Sequence, residues 1–401
     1  PPGFLWSGTT KWDGLVANLD FLPTLCNLRN LGCQDRFPGR IIKSQNTTDH
    51  LQKLAALNER LNLFNIRQRQ LLDWYMGIIT FGWMVGVLSI LIKQKWLANL
   101  PLTFVFSIPL TFILLPAFYE GLWRVPFFLV LAFSISIMAS LIKHTDIRIL
   151  SLASLTWALL ILDQITGWQL IRYSAMGYNA MAGSRYYGMG NEYMGVFVAA
   201  ALITTHFILK YTNRSWSAWV VLAVSMGVLA HPWFGAKFGG ILAGASGFTY
   251  YFISYYNLKF NRKNILILIS FGMTLLLVGL WDSIRPPDVQ THIGRFMQLL
   301  WTGDLAQVVQ IITRKIAMNL KLTLESAWMR IVLLALGLAT IHRLIAKRRL
   351  INHHRQLWKA ILISGFTAYL VNDAGVLAFA SCLALGFTFI LIAAVNSPAE
   401  T

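Results

Sequence analysis

The residues best suited to chemistry are Arg185 and Glu192, in the stretch Ala182-Gly183-Ser184-Arg185-Tyr186-Tyr187-Gly188-Met189-Gly190-Asn191-Glu192-Tyr193-Met194-Gly195. The sequence around them is almost entirely hydrocarbon. Ionisable groups near membrane depth either pair with one another or mark a functional site. A guanidinium grips phosphate or pyrophosphate bidentately. A nearby carboxylate acts as general base toward a transferred hydroxyl. The glycines let the backbone turn tightly or let a ligand approach it closely. The same residues also fit a re-entrant loop in which Arg185 and Glu192 simply neutralise each other.

Other stretches mix glycine with polar groups in the same way. They are His231-Pro232-Trp233-Phe234-Gly235-Ala236-Lys237-Phe238-Gly239-Gly240, Thr291-His292-Ile293-Gly294-Arg295-Phe296 and Asn372-Asp373-Ala374-Gly375. Arg185, Lys237 and Arg295 are the expected anion-binding cations. Tyr186, Tyr187, Asn191, His292 and Asn372 are the expected further substrate contacts, and Glu192 or Asp373 the base. Blander roles compete: Lys237 snorkels to the interface, Asp373 caps the next helix, and Asp163 pairs with a neighbouring helix or a loop arginine. His231 and His292 lack a second ligand at metal spacing, so no metal or cofactor is expected in this chain.

These residues must be carried by membrane elements. The chain has 401 residues, 56% of them hydrophobic and only 12% charged. Soluble domains carry about 25% charged residues, so the composition predicts an all-α polytopic membrane protein. The +18 formal charge comes from short clusters between apolar runs, which topology and anionic headgroups require. That pattern argues for the bilayer as partner and against nucleic acid. Apolar runs are predicted near 71–92, 100–117, 125–142, 147–165, 193–209, 216–233, 238–256, 264–281, 330–346, 358–371 and 376–395. At about 30 Å of hydrocarbon per crossing they give about eleven transmembrane helices over 71–401. Residues 51–70, with Leu51, Leu54, Leu57 and Leu61 near helical spacing, read as an amphipathic linker helix. Residues 305–325 read as an amphipathic stretch within an outer-face segment, 282–329.

Basic clusters at Lys93/Lys95, Lys143/Arg148, Lys210/Arg214, Lys259/Arg262/Lys263 and Arg343–Lys359 mark the predicted cytoplasmic loops. The N-terminal segment and the glycine-rich stretches then lie outside, and the C-terminus inside. Two breaks, at Gly235–Gly240 and Asn372–Gly375, predict a polar cavity on the outer face.

Residues 1–50 are not membrane-like and read as a short α/β remnant. Gly14-Leu15-Val16-Ala17-Asn18-Leu19-Asp20-Phe21-Leu22-Pro23-Thr24-Leu25 predicts a strand, then a helix beginning around Asp20 and Pro23. With Phe37-Pro38-Gly39-Arg40, this stretch resembles the closing segment of the alkaline-phosphatase superfamily, which includes the sulfatases and phosphoglycerate-mutase-like enzymes. Together with the Gly183–Gly195 and Gly235–Gly240 stretches, the chain is similar to bacterial membrane proteins that join such an extracytoplasmic domain to a polytopic one. Tyr186 stands where that pattern carries Phe, and Lys237 takes its variable position. The resemblance implies an upstream phosphatase-like domain as partner, with any divalent metal held there, because residues 1–50 carry no metal-ligand set and no nucleophile. Cys26 and Cys33 fit either a disulfide in an exported segment or two free thiols.

The function expected is the membrane half of a cell-envelope hydrolase or transferase that handles a lipid-linked phosphate or glycan at the outer face. A transporter of an anionic solute and a multi-span anchor for the phosphatase-like domain are the alternatives.

Overall fold

The computed structural model describes residues 3–33, 37, 39–118, 121, 124–183, 185–212, 214–231, 234–235, 237–258, 280–285, 292–303, 305–346 and 354–396. A small N-terminal unit leads into a bundle of helices.

In the N-terminal unit, strand β1 (Gly3–Trp6) pairs antiparallel with β2 (Lys43–Asn46), Gly3 opposite Asn46. The strand expected at Gly14–Ala17 is instead a turn closed by a Trp12–Leu15 bridge. Lys11 and Gly14 take left-handed backbone angles there, φ 55° and 81°, which reverse the chain before a strand can extend. Helix α1 (Phe21–Leu28) follows as the sequence predicts. Asp20 organises this unit. Its buried carboxylate accepts from Ser7 Oγ (2.7 Å), Thr9 Oγ1 (2.5 Å), Ala17 N (2.9 Å) and Arg40 N (2.8 Å). Thr24 Oγ1 accepts from Ile42 N at 2.9 Å. These bonds explain why the Asp20–Thr24 stretch and the Gly39-Arg40 turn occur together: each satisfies the other's backbone. Cys26 and Cys33 form a disulfide.

Helix α2 (His50–Leu91) runs unbroken for 42 residues, about 63 Å. The linker helix expected at 51–70 and the first span are therefore one element. The reason is local, since neither glycine nor proline interrupts the sequence between His50 and Met76. Next come α3 (Lys95–Phe118), α4 (Arg124–Ser140), α5 (Thr145–Ile165), α6 (Asn191–Thr212), α7 (Ser215–Ala230) and α8 (Phe238–Tyr255). The last described elements are α9 (His292–Thr302), α10 (Leu305–Glu325), α11 (Ala327–Ala346), α12 (Arg355–Val371) and α13 (Gly375–Asn396). The predicted apolar runs coincide with these helices, except 264–281, nearly all of which lies outside the described residues.

Among the described residues, five helices are long and apolar enough to cross a membrane: α2, α3, α5, α6 and α13. A sixth span results if α10 and α11, bent by 70° at Ser326, are taken as one. The chain is thus a multi-pass membrane protein, and among the described residues five or six spans meet the length and composition test, against the predicted eleven or so. Helices α4 and α7, at 17 and 16 residues, reach only about 25 Å. Helix α8 is diluted by glycine, serine and tyrosine.

Helices α6 and α13 form the centre, with 83% of each apolar window buried. At Gly195 a Cβ would collide with the Ala378 carbonyl and Ser381 Oγ, so only glycine lets these two backbones approach so closely. Trp83 Nε1 donates to Thr388 Oγ1 at 2.8 Å and ties α2 to the same centre.

Candidate functional site

Three loops remote in sequence meet at one end of the α6–α13 core. The first joins α5 to α6. Gly167 and Trp168, at φ 93° and 64°, turn the chain out of α5. Asp163 then accepts from Leu170 N (2.7 Å) and Ile171 N (3.2 Å). Asp163 thus fastens the loop backbone, where pairing with a helix or an arginine was expected.

The second loop, between α7 and α8, docks directly on the first. Gly235 N donates to Val228 O at 2.8 Å and Lys237 N to Leu229 O at 2.9 Å, folding the loop back over the end of α7. Met189 N donates to Gly235 O at 3.1 Å. Gly188, at φ 75°, makes this contact possible: a Cβ there would stand 2.6 Å from Gly235 O. Arg185 Nη1 bridges both loops, donating to Tyr187 O and Met189 O at 3.2 Å and to Gly235 O at 3.4 Å.

The third loop is the break between α12 and α13. Asn372 is buried, donates through Nδ2 to Ala368 O at 2.8 Å, and lies tight against Gly239. Asp373 Oδ1 accepts from Ala374 N at 3.1 Å, at the start of α13. The sequence left snorkelling and anion binding open for Lys237, and capping and base catalysis open for Asp373. Lys237 is 7% exposed, so it does not snorkel. Asp373 does cap.

The loops bring Arg185, Glu192, Lys237 and Asp373 into one electrostatic cluster. Burial, reinforced by Arg185, pushes the Lys237 ammonium down to about 7, while Asp373 and Glu192 act in the opposite sense. Burial lowers Arg185 from the ordinary arginine value, against the field of Asp373. Desolvation opposes ionisation of Asp373, but Lys237 and Lys315 outweigh it and hold its carboxyl below the ordinary carboxylate range. The simple Arg185–Glu192 pair is therefore replaced by a wider arrangement in which the acids face Lys237. Asn191 Oδ1, at the start of α6, is buried with no hydrogen-bond partner.

The remaining predicted contacts divide. Tyr187 lies beneath the Lys11 ammonium, 3.8 Å from its ring centroid, and beside Trp168. Tyr186 O accepts from Trp12 Nε1 at 2.6 Å. Both tyrosines thus receive the N-terminal unit. His292 and Arg295 fall in α9, and their side chains lie outside the described residues. A sizeable cavity among the described residues is an apolar groove between α2, α3 and α4, away from the glycine-rich breaks.

Two residues of α10 join the site without having been singled out as site residues. Lys315 adds a cation to the cluster. Asn319 donates to Tyr369 O at 2.7 Å and accepts from Val376 N at 3.3 Å, fastening α10 across the α12–α13 break. The signal was the amphipathic pattern of 305–325, which fixes a helix face but not the loop it meets. At the other end of α6, His206 stands 2.9 Å from Tyr251 Oη and 3.0 Å from His354 Nδ1, a trio that sequence spacing does not connect. Among the described residues no group of His, Cys, Asp and Glu is arranged to hold a metal. No protein-family model, curated protein or solved structure matches the chain.

Proposed function

We propose that the chain is the membrane half of a cell-envelope enzyme that receives a lipid-linked phosphate or glycan at the outer face, next to a phosphatase-like domain. The observation that carries this reading is the gathering of Arg185, Lys237 and Lys315 around Glu192 and Asp373 by three separate loops and helix α10. Lys237 is buried and Lys315 exposed, so the site offers an approaching phosphate one sequestered cation and one at its rim. In this reading Lys237 meets the phosphate, the unpartnered Asn191 Oδ1 accepts from a substrate hydroxyl, and Glu192 or Asp373 takes the proton.

Three features support the neighbouring domain. The N-terminal unit rests on Tyr186 and Tyr187, which belong to the same loop as Arg185. Its Cys26–Cys33 disulfide suits an oxidising, extracytoplasmic compartment. Leu22, Leu25 and Leu28 of α1 are more than half exposed, the kind of edge that a larger adjoining domain covers.

The test is binding of a polyprenyl phosphate to the purified protein. Lys237→Met should weaken it by about tenfold or more, the loss of one hydrogen bond to a charged group. A neutral polyprenol should bind both proteins equally. Unchanged phosphate binding by a folded Lys237→Met protein overturns the anion site and favours the anchor reading.

A further inference from the structure

A groove of about 1070 Å³ opens between α2, α3 and α4. It belongs to none of the three loops above. One stripe of α2 forms its length, with Arg67, Gln70, Trp74, Gly77, Ile78 and Phe81 recurring at three- and four-residue steps. Leu100, Pro101 and Phe104 of α3 and Val125, Pro126 and Phe133 of α4 close its sides.

The groove is polar at one end only. Arg67 and Gln70 stand near its mouth, Asp73 follows partway along, and every lining residue beyond Asp73 on α2 is apolar or glycine. From Arg67 to Phe81 the helix rises about 21 Å. That matches one leaflet, headgroup included, of a bilayer about 40–45 Å thick. The mouth lies at the end of α2 that meets the N-terminal unit. There Gln68 donates to Ala175 O and Gly177 O at 3.1 Å.

The mouth also carries a cation. Arg67 Nη1 donates to Gln70 Oε1 at 2.7 Å, at the exposed end of the side chain. A guanidinium at the polar end of an apolar channel suits the phosphate of an amphiphile. Asp73 lies about 9 Å deeper along the helix axis. A single phosphate at Arg67 balances the cation, whereas a diphosphate would crowd a second negative charge toward Asp73.

We propose that this groove is a binding site for one bilayer phospholipid, its acyl chain along Gly77–Phe81 and its phosphate at Arg67. Gly77 is the position where chain and protein compete for space. A Cβ there meets no atom within 4 Å, so a larger side chain would enter the groove without disturbing its walls. The ligand is a structural or regulatory lipid, distinct from the substrate of the charged cluster.

The test uses delipidated full-length chain in mild detergent and native mass spectrometry with phosphatidylglycerol as the added probe. The parent should hold one tightly bound molecule. Gly77→Trp and Gly77→Leu should lose it, while Leu155→Trp, on the exposed face of α5, should keep it. Arg67→Gln should weaken phosphatidylglycerol about tenfold and leave diacylglycerol uptake unchanged. Lys237→Met should not alter it, which separates this site from the loop cluster. Equal phosphatidylglycerol binding by parent and both Gly77 variants overturns the proposal. So does displacement of the phospholipid by a stoichiometric amount of oleate or polyprenyl phosphate. Thermal unfolding of each variant identifies any that lose lipid by misfolding, and Arg67→Gln then decides.

Discussion

Lys237 is one residue through which pH enters the site. An ordinary lysine keeps its proton to pH above 10, but burial and the neighbouring Arg185 bring Lys237 down to about 7. An anion binds the protonated form, so binding takes up a proton and tightens as pH falls through about 7. The stability effect follows from the same shift. Between about 7 and the ordinary lysine value the unfolded chain carries a proton that the native chain lacks, so this group makes the fold more stable as pH rises across that window. A bound phosphate should flatten that slope by restoring charge to Lys237. Titrating pyrophosphate binding at pH 6 and pH 8 checks the claim. The parent should bind several-fold more tightly at the lower pH once the anion's own ionisation is corrected with Lys237→Arg, whose guanidinium stays charged. A Lys237→Arg protein with the same residual slope as the parent would show that another group titrates.

The loops hold these residues through a few obligatory contacts, and Gly188 is the most demanding. It combines a left-handed φ with a position 2.6 Å from Gly235 O for any added Cβ. Gly188→Ala should cost about 1–3 kcal/mol of local stability and separate the two loops that Arg185 bridges. Gly227→Ala, in the last turn of α7 with nothing near its would-be Cβ, should instead stabilise by up to about 0.5–1 kcal/mol. Comparing their melting temperatures and pyrophosphate affinities separates a loop effect from a general one. The helices themselves were legible because hydrocarbon runs have a length set by the bilayer. Asp20 was legible as a helix start, though not as the acceptor that binds Arg40 N, Ala17 N and two hydroxyls. Charge and glycine identified Arg185, Glu192, Lys237 and Asp373 as candidates. Their partners were not legible, because a loop carries no periodicity that would say Gly235 lies under Met189 or that Lys315 reaches the α12–α13 break. The groove between α2, α3 and α4 was hidden for the same reason: it is made by the spacing of helices, and its residues look like any lipid-facing stripe.

At the scale of the whole molecule, the N-terminal unit and the bundle are joined by aromatic and cationic contacts at one place. Trp12 is 3% exposed, donates to Tyr186 O, packs 5.8 Å from the Tyr173 ring, and has the Arg172 guanidinium 4.6 Å above it. Arg172 in turn donates to Lys11 O at 3.1 Å. The unit's own cohesion comes from elsewhere, through Asp20 and the β1–β2 pair. Removing the tryptophan should therefore detach the unit without unfolding it. Truncating a buried Trp costs about 3–5 kcal/mol, and Trp12 makes the contacts at the centre of this junction. In Trp12→Ala, amide exchange should accelerate over Tyr186–Met189 and at Lys11, while β1, β2 and the interior of α13 keep their protection. Because Tyr186 and Tyr187 belong to the loop that carries Arg185, polyprenyl-phosphate affinity should fall with the docking. If exchange rises throughout β1 and β2 as well, the unit depends on the bundle for its fold. If affinity stays at the parental level while the loop loses protection, the N-terminal unit rests beside the anion site without supporting it.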